Sequence, residues 1–257
     1  MKMKFVIGLV LSACFCFSSG YADESCKKGN IVFIGAHPDD SEGFAGLAFI
    51  LSEKYNIHIV DYTNGDFGLG MPGFLDGSTA RRRIEEEKNA CALLGATPHF
   101  IGAIDANAYV TSNEVAKIAK ILTDLEPVAV FTHWPVDSHP DHVMTAAATY
   151  KAIRLTKCKA QFYYYEVLEG QTRAWTPLFN VDISRVMDKK VEMLRCYKCQ
   201  NNKDLLVKAK VKLALKRGSQ REPKVQYAET FTTYNGKPPR EDKPCIFSDL
   251  PESVLVK

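Results

Sequence analysis

Ile31-Val32-Phe33-Ile34-Gly35-Ala36-His37-Pro38-Asp39-Asp40 is an apolar run that ends abruptly in a polar cluster. Apolar residues without alternation predict a short strand covered on both faces, the pattern of a buried parallel sheet. The polar cluster then falls at the strand's carboxyl end. Ligands of open α/β sheets bind in the crevice beyond those ends, so one stretch indicates both the fold class and the place to look for chemistry.

Working outward, the rhythm repeats. A helix is expected from Ser41 to Lys54, a strand at Ile57–Tyr62, a helix rich in Arg and Glu over Thr79–Leu94, and a short strand around Phe100 and Ile101. A helix over Asn113–Leu125, a strand at Val128–Thr132 after Pro127, a helix over His142–Leu155 and a strand at Phe162–Val167 follow. This alternation predicts a Rossmann-like α/β fold, an open and mainly parallel sheet with helices on both faces. Gly65–Ser78, with five glycines and a proline, reads as a loop. Beyond residue 168 the pattern is less regular, with a helix expected over Ser184–Gln200. The whole of residues 23–257 is read as a single domain.

A second polar cluster, Ser138-His139-Pro140-Asp141-His142, lies a few residues past the fourth strand. Histidine and aspartate are sound ligands for zinc, and a catalytic zinc site needs three protein ligands with a fourth position left open. His37 and Asp40 from the first loop and His142 from the second could supply them. The plainer alternative is helix capping: Asp39, Asp40 and Ser41, with Glu42 completing a capping box, or Asp141 for the later helix. Two His-Pro-Asp clusters at one sheet edge fit capping poorly and a metal site well. Iron(II) or cobalt could occupy the same donor set.

The two clusters resemble the hallmarks of the PIG-L/LmbE-like N-acetylglucosaminyl deacetylases, Ala-His-Pro-Asp-Asp after the first strand and a later His-Pro-Asp-His. Thr63-Asn64-Gly65-Asp66, Arg83-Ile84-Glu85-Glu86 with Leu94-Gly95, Asp182-Ile183-Ser184, Lys190, Gln200 and Tyr227-Ala228-Glu229-Thr230-Phe231 match weaker family features in the same order. The resemblance covers about residues 30–232. It implies a zinc hydrolase that removes the acetyl group from an N-acetylglucosamine-type sugar, with His37, Asp40 and His142 on the metal. It further implies Asp39 as general base, His139 as stabiliser or acid at the transition state, and Asp141 as the residue orienting a histidine. Chemistry agrees. Zinc lowers the pKa of water from 15.7 to about 7, a carboxylate not committed to the metal can accept the water's proton, and a protonated His139 would balance the oxyanion. Arg83, Asn64 and Asp105 are candidate contacts to sugar hydroxyls, although Arg83 could equally form a surface salt bridge with Glu86 or Glu87. The sequence departs from the family in carrying Val136-Asp137-Ser138 where some members have a tyrosine, and Tyr197 and Cys199 where His and Ser are frequent.

Composition limits the remaining choices. The chain has 257 residues, 46% of them hydrophobic and 25% charged, as expected of a globular protein, and a formal charge of +3. Lys2 and Lys4, the apolar run Phe5–Leu11 and Gly20-Tyr21-Ala22 form a signal-peptide pattern over residues 1–22. Leu11-Ser12-Ala13-Cys14 also matches a lipobox, so the mature protein is expected to be exported, periplasmic or secreted, or a lipoprotein through Cys14. No body segment approaches the ~20 apolar residues of a membrane span. Loss of the leader leaves a nearly neutral protein, with no electrostatic case for nucleic acid, and Lys198–Lys224 reads as a solvated helix. Cys26, Cys91, Cys158, Cys196, Cys199 and Cys245 would remain, their pairing not readable from sequence. Cys196 and Cys199 fall within the expected helix, which speaks against a redox motif. Two other functions fit less well: a zinc amidase for another N-acyl amine, such as a thiol conjugate or antibiotic-type molecule, and a carbohydrate-binding protein without turnover. The absence of a Gly-x-Gly-x-x-Gly turn after the first strand argues against dinucleotide binding.

Overall fold

The computed structural model describes residues 29–68, 71–237, 245–251 and 254–256. The expected leader over residues 1–22, the lipobox at Cys14 and Cys26 lie outside the described residues. Strands β1 (Asn30–Gly35), β2 (Asn56–Thr63), β3 (Thr97–Ala103), β4 (Ala129–His133), β5 (Gln161–Tyr165), β6 (Phe179–Asp182), β7 (Ala228–Thr233) and β8 (Leu255–Val256) form one sheet. Its order is β3-β2-β1-β4-β5-β7-β6-β8. The first five are parallel, and β7, β6 and β8 extend the sheet antiparallel. The helices are α1 (Ala45–Leu51), α2 (Met71–Leu75), α3 (Ser78–Leu94), α4 (Ser112–Leu125), α5 (Pro140–Thr156), α6 (Met187–Leu194) and α7 (Leu205–Ser219). None among the described residues is long and apolar enough to cross a membrane.

Successive residues of β1 point to opposite faces, and both faces are covered, which is why the run is apolar throughout. Ile31 and Phe33 join Phe44, Leu47, Cys91, Phe131, Tyr165 and Phe231 in one core under α1, α3, α6 and α7. Val32 and Ile34 join Val60, Tyr62, Ile118, Val130 and Ala152 in the other, under α4 and α5.

Three helices differ from expectation: α2 forms inside Gly65–Ser78, which reads as a loop, and two others have different bounds. The segment Ser41–Lys54 divides into a 3-10 turn at Asp40–Gly43 and α1. Here Gly43 lies so close to β5's end that a Cβ would sit 2.7 Å from the Glu166 carbonyl oxygen. The helix expected over Ser184–Gln200 ends at Leu194, because Tyr197 turns inward, fully buried, with its hydroxyl 2.6 Å from Ser41 Oγ. Cys196 and Cys199 therefore occupy the turns after α6, and Cys91, Cys158, Cys196, Cys199 and Cys245 are all free thiols.

The strand order reverses direction between β1 and β4, the switch point where such sheets bind ligands. Both polar clusters emerge there, one after β1 and one after β4.

Candidate active site

The first cluster is a tight turn. Asp40 N–H donates to the His37 carbonyl at 3.1 Å, and a Cβ on Gly35 would lie 2.8 Å from that of Asp40, so glycine is needed where the chain folds back. Asp40 Oδ2 accepts the backbone N–H groups of Ala36 at 2.7 Å and His37 at 2.8 Å, and lies 3.0 Å from His133 Nε2. These contacts leave Oδ1 facing His142 Nε2 at 3.4 Å. Burial by itself would raise the Asp40 pKa. The charges of His133 and His142 outweigh it, with hydrogen bonds from His133 and His37, and hold the carboxyl well below the usual range.

The second cluster opens α5. His139 is the N-cap, its Nδ1 accepting Asp141 N–H at 3.3 Å, and Pro140 fills the first turn, where no donor is missed. Asp141 is not a cap. Its carboxylate accepts the N–H groups of Ala106 at 2.7 Å and Ala108 at 3.2 Å, and Oδ2 lies 3.1 Å from His37 Nε2. Asp105 Oδ1 reaches the same nitrogen at 3.1 Å. The other ring nitrogen of His37 is turned to Asp40, at 3.5 Å. The capping role considered for Asp39 is not realised either: the N–H groups of Gly46 and Leu47 in α1 donate to the Glu229 carboxylate, both at 2.8 Å.

One donor atom from each of His37, Asp40 and His142 lies within 4.8 Å of the others. Three buried donors of this kind, two imidazoles and a carboxylate, fit a catalytic zinc or similar divalent ion with ligand bonds of about 2.0–2.2 Å. His37, His139 and Asp141 meet the same distance, but the Asp141 oxygens already serve two amides and a ring nitrogen, so the first set fits better.

Asp39 stands beside this set in a backbone conformation, φ 134° and ψ −13°, that residues with a side chain seldom adopt. Arg83 holds it there: Nη2 donates to Asp39 Oδ1 at 2.7 Å and to the Pro38 carbonyl at 2.6 Å. Burial raises the Asp39 pKa against the opposing pull of Arg83, while burial followed by the charges of His37 and His142 lowers that of His139. A cavity of about 360 Å³ is lined by His37, Asp39, Asp40, Arg83, Asp105, His139 and His142 together with Glu42, Phe67, Val167, Gln171 and Gln200. A larger groove of about 970 Å³ between α3 and α6 brings together no comparable donor set.

The structure thus gathers His37, Asp39, Asp40, Arg83, Asp105, His139 and His142 around one cavity, with Asp141 behind His37. Arg83 is buried against Asp39, not paired on the surface with Glu86 or Glu87. Asn64 does not line the cavity, and its buried side-chain oxygen has no partner among the described residues. Sequence reasoning missed His133, which contacts Asp40 and stacks on His142 with ring centroids 3.9 Å apart. The available signal was a histidine ending an apolar strand. It also treated Asp137 only as a departure, although Asp137 Oδ1 lies 3.3 Å from His142 Nδ1.

The sequence profile of the PIG-L family, described as GlcNAc-PI de-N-acetylase, matches residues 32–153. The chain is 30% identical over 136 residues to the uncharacterized deacetylase YaiS of Escherichia coli, an alignment covering 50% of this chain and 70% of that protein. This chain belongs to the PIG-L family. Like its relatives in that family it is an enzyme of the N-deacetylase class. Among solved structures, the N,N'-diacetylchitobiose deacetylase of Pyrococcus horikoshii superposes with a TM-score of 0.70 at 22% identity, over 81% of this chain and 84% of that one. The 4-carboxy-2-hydroxymuconate hydratase GalB of Pseudomonas putida gives 0.72 at 21% identity, over 84% of this chain and 100% of that one. The fold by itself therefore does not select the reaction.

Proposed function

We propose that this PIG-L family member is a zinc-dependent hydrolase that removes the acetyl group from an N-acetylglucosamine-type amino sugar. The observation that carries the reading is the cavity in which the buried donors His37, Asp40 and His142 share a wall with Asp39, a carboxylate not among those donors. A binding protein has no use for that extra carboxylate. The family description and the chitobiose deacetylase support an amino sugar as substrate.

His37, Asp40 and His142 would hold the cation, which supplies Lewis acidity toward water and the amide carbonyl. Asp39 accepts a proton as the water oxygen bonds to the acyl carbon. His139 uses Nδ1 to accept Asp141 N–H, so in its neutral form it carries its proton on Nε2 and donates from there to the developing oxyanion. When the C–N bond breaks, Asp39 returns its proton to the amine, and acetate and a free amino sugar leave. Arg83 keeps Asp39 in its strained position, and Asp105 and Asp141 hold His37.

In this reading the signal-peptide pattern of residues 1–22 supports a substrate outside the cytoplasm. Acetate release from N-acetylglucosamine and short chitooligosaccharides, by metal-loaded wild type and Asp39→Ala with metal content determined on both, tests the proposal. Turnover by the wild type alone, with zinc in both, supports it. Bound zinc without acetate from any of these sugars refutes the substrate and points to another N-acyl amine. Absence of bound metal refutes the site.

A further inference from the structure

We propose that Asp137 is a positioning residue that fixes the ring and tautomer of His142 for metal binding, an inference that rests on the metal set above. An imidazole that offers Nε2 to a cation must carry its proton on Nδ1, and a buried N–H needs an acceptor. For His142, 2% exposed, the Nε2 side faces Asp40 and the Nδ1 side meets two groups, Asp137 Oδ1 at 3.3 Å and, as placed, the Gln171 amide nitrogen Nε2 at 3.2 Å. The Gln171 amide can present either its oxygen or its nitrogen, an orientation set by its surroundings. The carboxylate of Asp137 accepts in either case.

Asp137 is itself locked. Its side chain is 1% exposed. Oδ1 also accepts His139 N–H at 2.8 Å, and Oδ2 accepts the Thr172 hydroxyl at 3.2 Å. The same Thr172 oxygen accepts Val167 N–H at 3.1 Å, so the segment after β5 braces the carboxylate from behind. The arrangement mirrors the one at His37, where Asp105 and Asp141 occupy the ring nitrogen turned away from Asp40. Each histidine of the metal set thus has a carboxylate on its far side, and at His142 that carboxylate is Asp137.

The test is zinc affinity, measured on the full chain by competition with a chromophoric chelator, for wild type, Asp137→Asn, Asp137→Ala and Thr172→Val. Loss of such an outer carboxylate weakens metal binding by about 10–100-fold. The expected result is a loss near the top of that range for Asp137→Ala and a smaller one for Asp137→Asn, which keeps an acceptor oxygen and the side-chain shape. Thr172→Val, which removes one brace of Asp137 but keeps its carboxylate beside His142, should lose less affinity than Asp137→Ala. The visible spectrum of the cobalt-substituted protein should change more for Asp137→Ala than for Thr172→Val. Wild-type affinity in both Asp137 variants overturns the inference, as does a fall in the unfolding midpoint of the metal-free protein with zinc affinity intact, since that marks a purely structural role. A wild type that binds no zinc overturns the metal reading itself and the inference with it.

Discussion

Asp39 allows the stability cost of a working residue to be measured. Its φ of 134° lies in backbone space open to glycine and costly for any residue with a Cβ, at about 1–3 kcal/mol. Asp39→Ala removes the carboxylate but keeps the Cβ, and Asp39→Gly removes both. Each leaves Arg83, 4% exposed, without its carboxylate partner, so that loss cancels between them. Glycine's greater freedom in the unfolded chain counts against it by about 0.4–1 kcal/mol. The difference leaves Asp39→Gly more stable than Asp39→Ala by roughly 1 kcal/mol, or about 2–4 °C in Tm for a chain of this size. Urea unfolding of both variants with chelator present, so that metal binding does not enter, reads the difference directly. Neither variant should release acetate. Equal stability, or a more stable alanine variant, would refute the reasoning that the Asp39 backbone is strained.

Three further outcomes follow from buried charges. Glu87 is fully buried, and burial pushes its pKa up to about 7; its stabilising contribution is complete below about pH 4.5, its unfolded value, and is lost as pH rises through 7, because the unfolded chain gives up a proton the folded chain retains. Glu87→Gln should therefore gain on wild type by about 3 kcal/mol at pH 8, with the gain shrinking toward pH 5 in urea titrations. Glu229 accepts two N–H groups of α1 and the Lys190 ammonium at 2.6 Å, so Glu229→Ala should lose about 3–5 kcal/mol by stranding a buried lysine, and adding Lys190→Met should restore part of it. Dialysis against a chelator should abolish acetate release, with recovery on adding zinc to wild type and no recovery in Asp40→Ala, measured beside metal content.

Much of this was legible beforehand because it is local. The apolar runs at Ile31, Ile57 and Val128 gave strands, and the two His-Pro-Asp motifs gave the cavity and the cluster of His37, Asp40 and His142 beside it. Less legible was anything that depends on contact between distant segments. His133 reads as the last residue of a strand until Asp40 is found against it. Arg83 sits among surface charges in sequence, yet packing draws it under Asp39 while Glu86 turns to Cys199 N–H. Lys190 and Glu229 matched family features without a reason; the reason is that they close the start of α1 from the far end of the chain. The helix over Ser184–Gln200 was overextended because periodicity cannot show Tyr197 being pulled to Ser41.

The pairing of β1 with β4 bears on the order of events in time. His37 and Asp141 are 104 positions apart in the chain, and the donors converge only when Ile31–Ile34 align beside Ala129–Thr132. Such distant pairings form late, after a long loop has closed. A cation that needs all three donors cannot be captured by a nascent or half-assembled chain. A molecule that carried the proposed ion would accordingly have made this central pairing, whereas a metal-free fraction would still include fully folded molecules from which the ion has been removed.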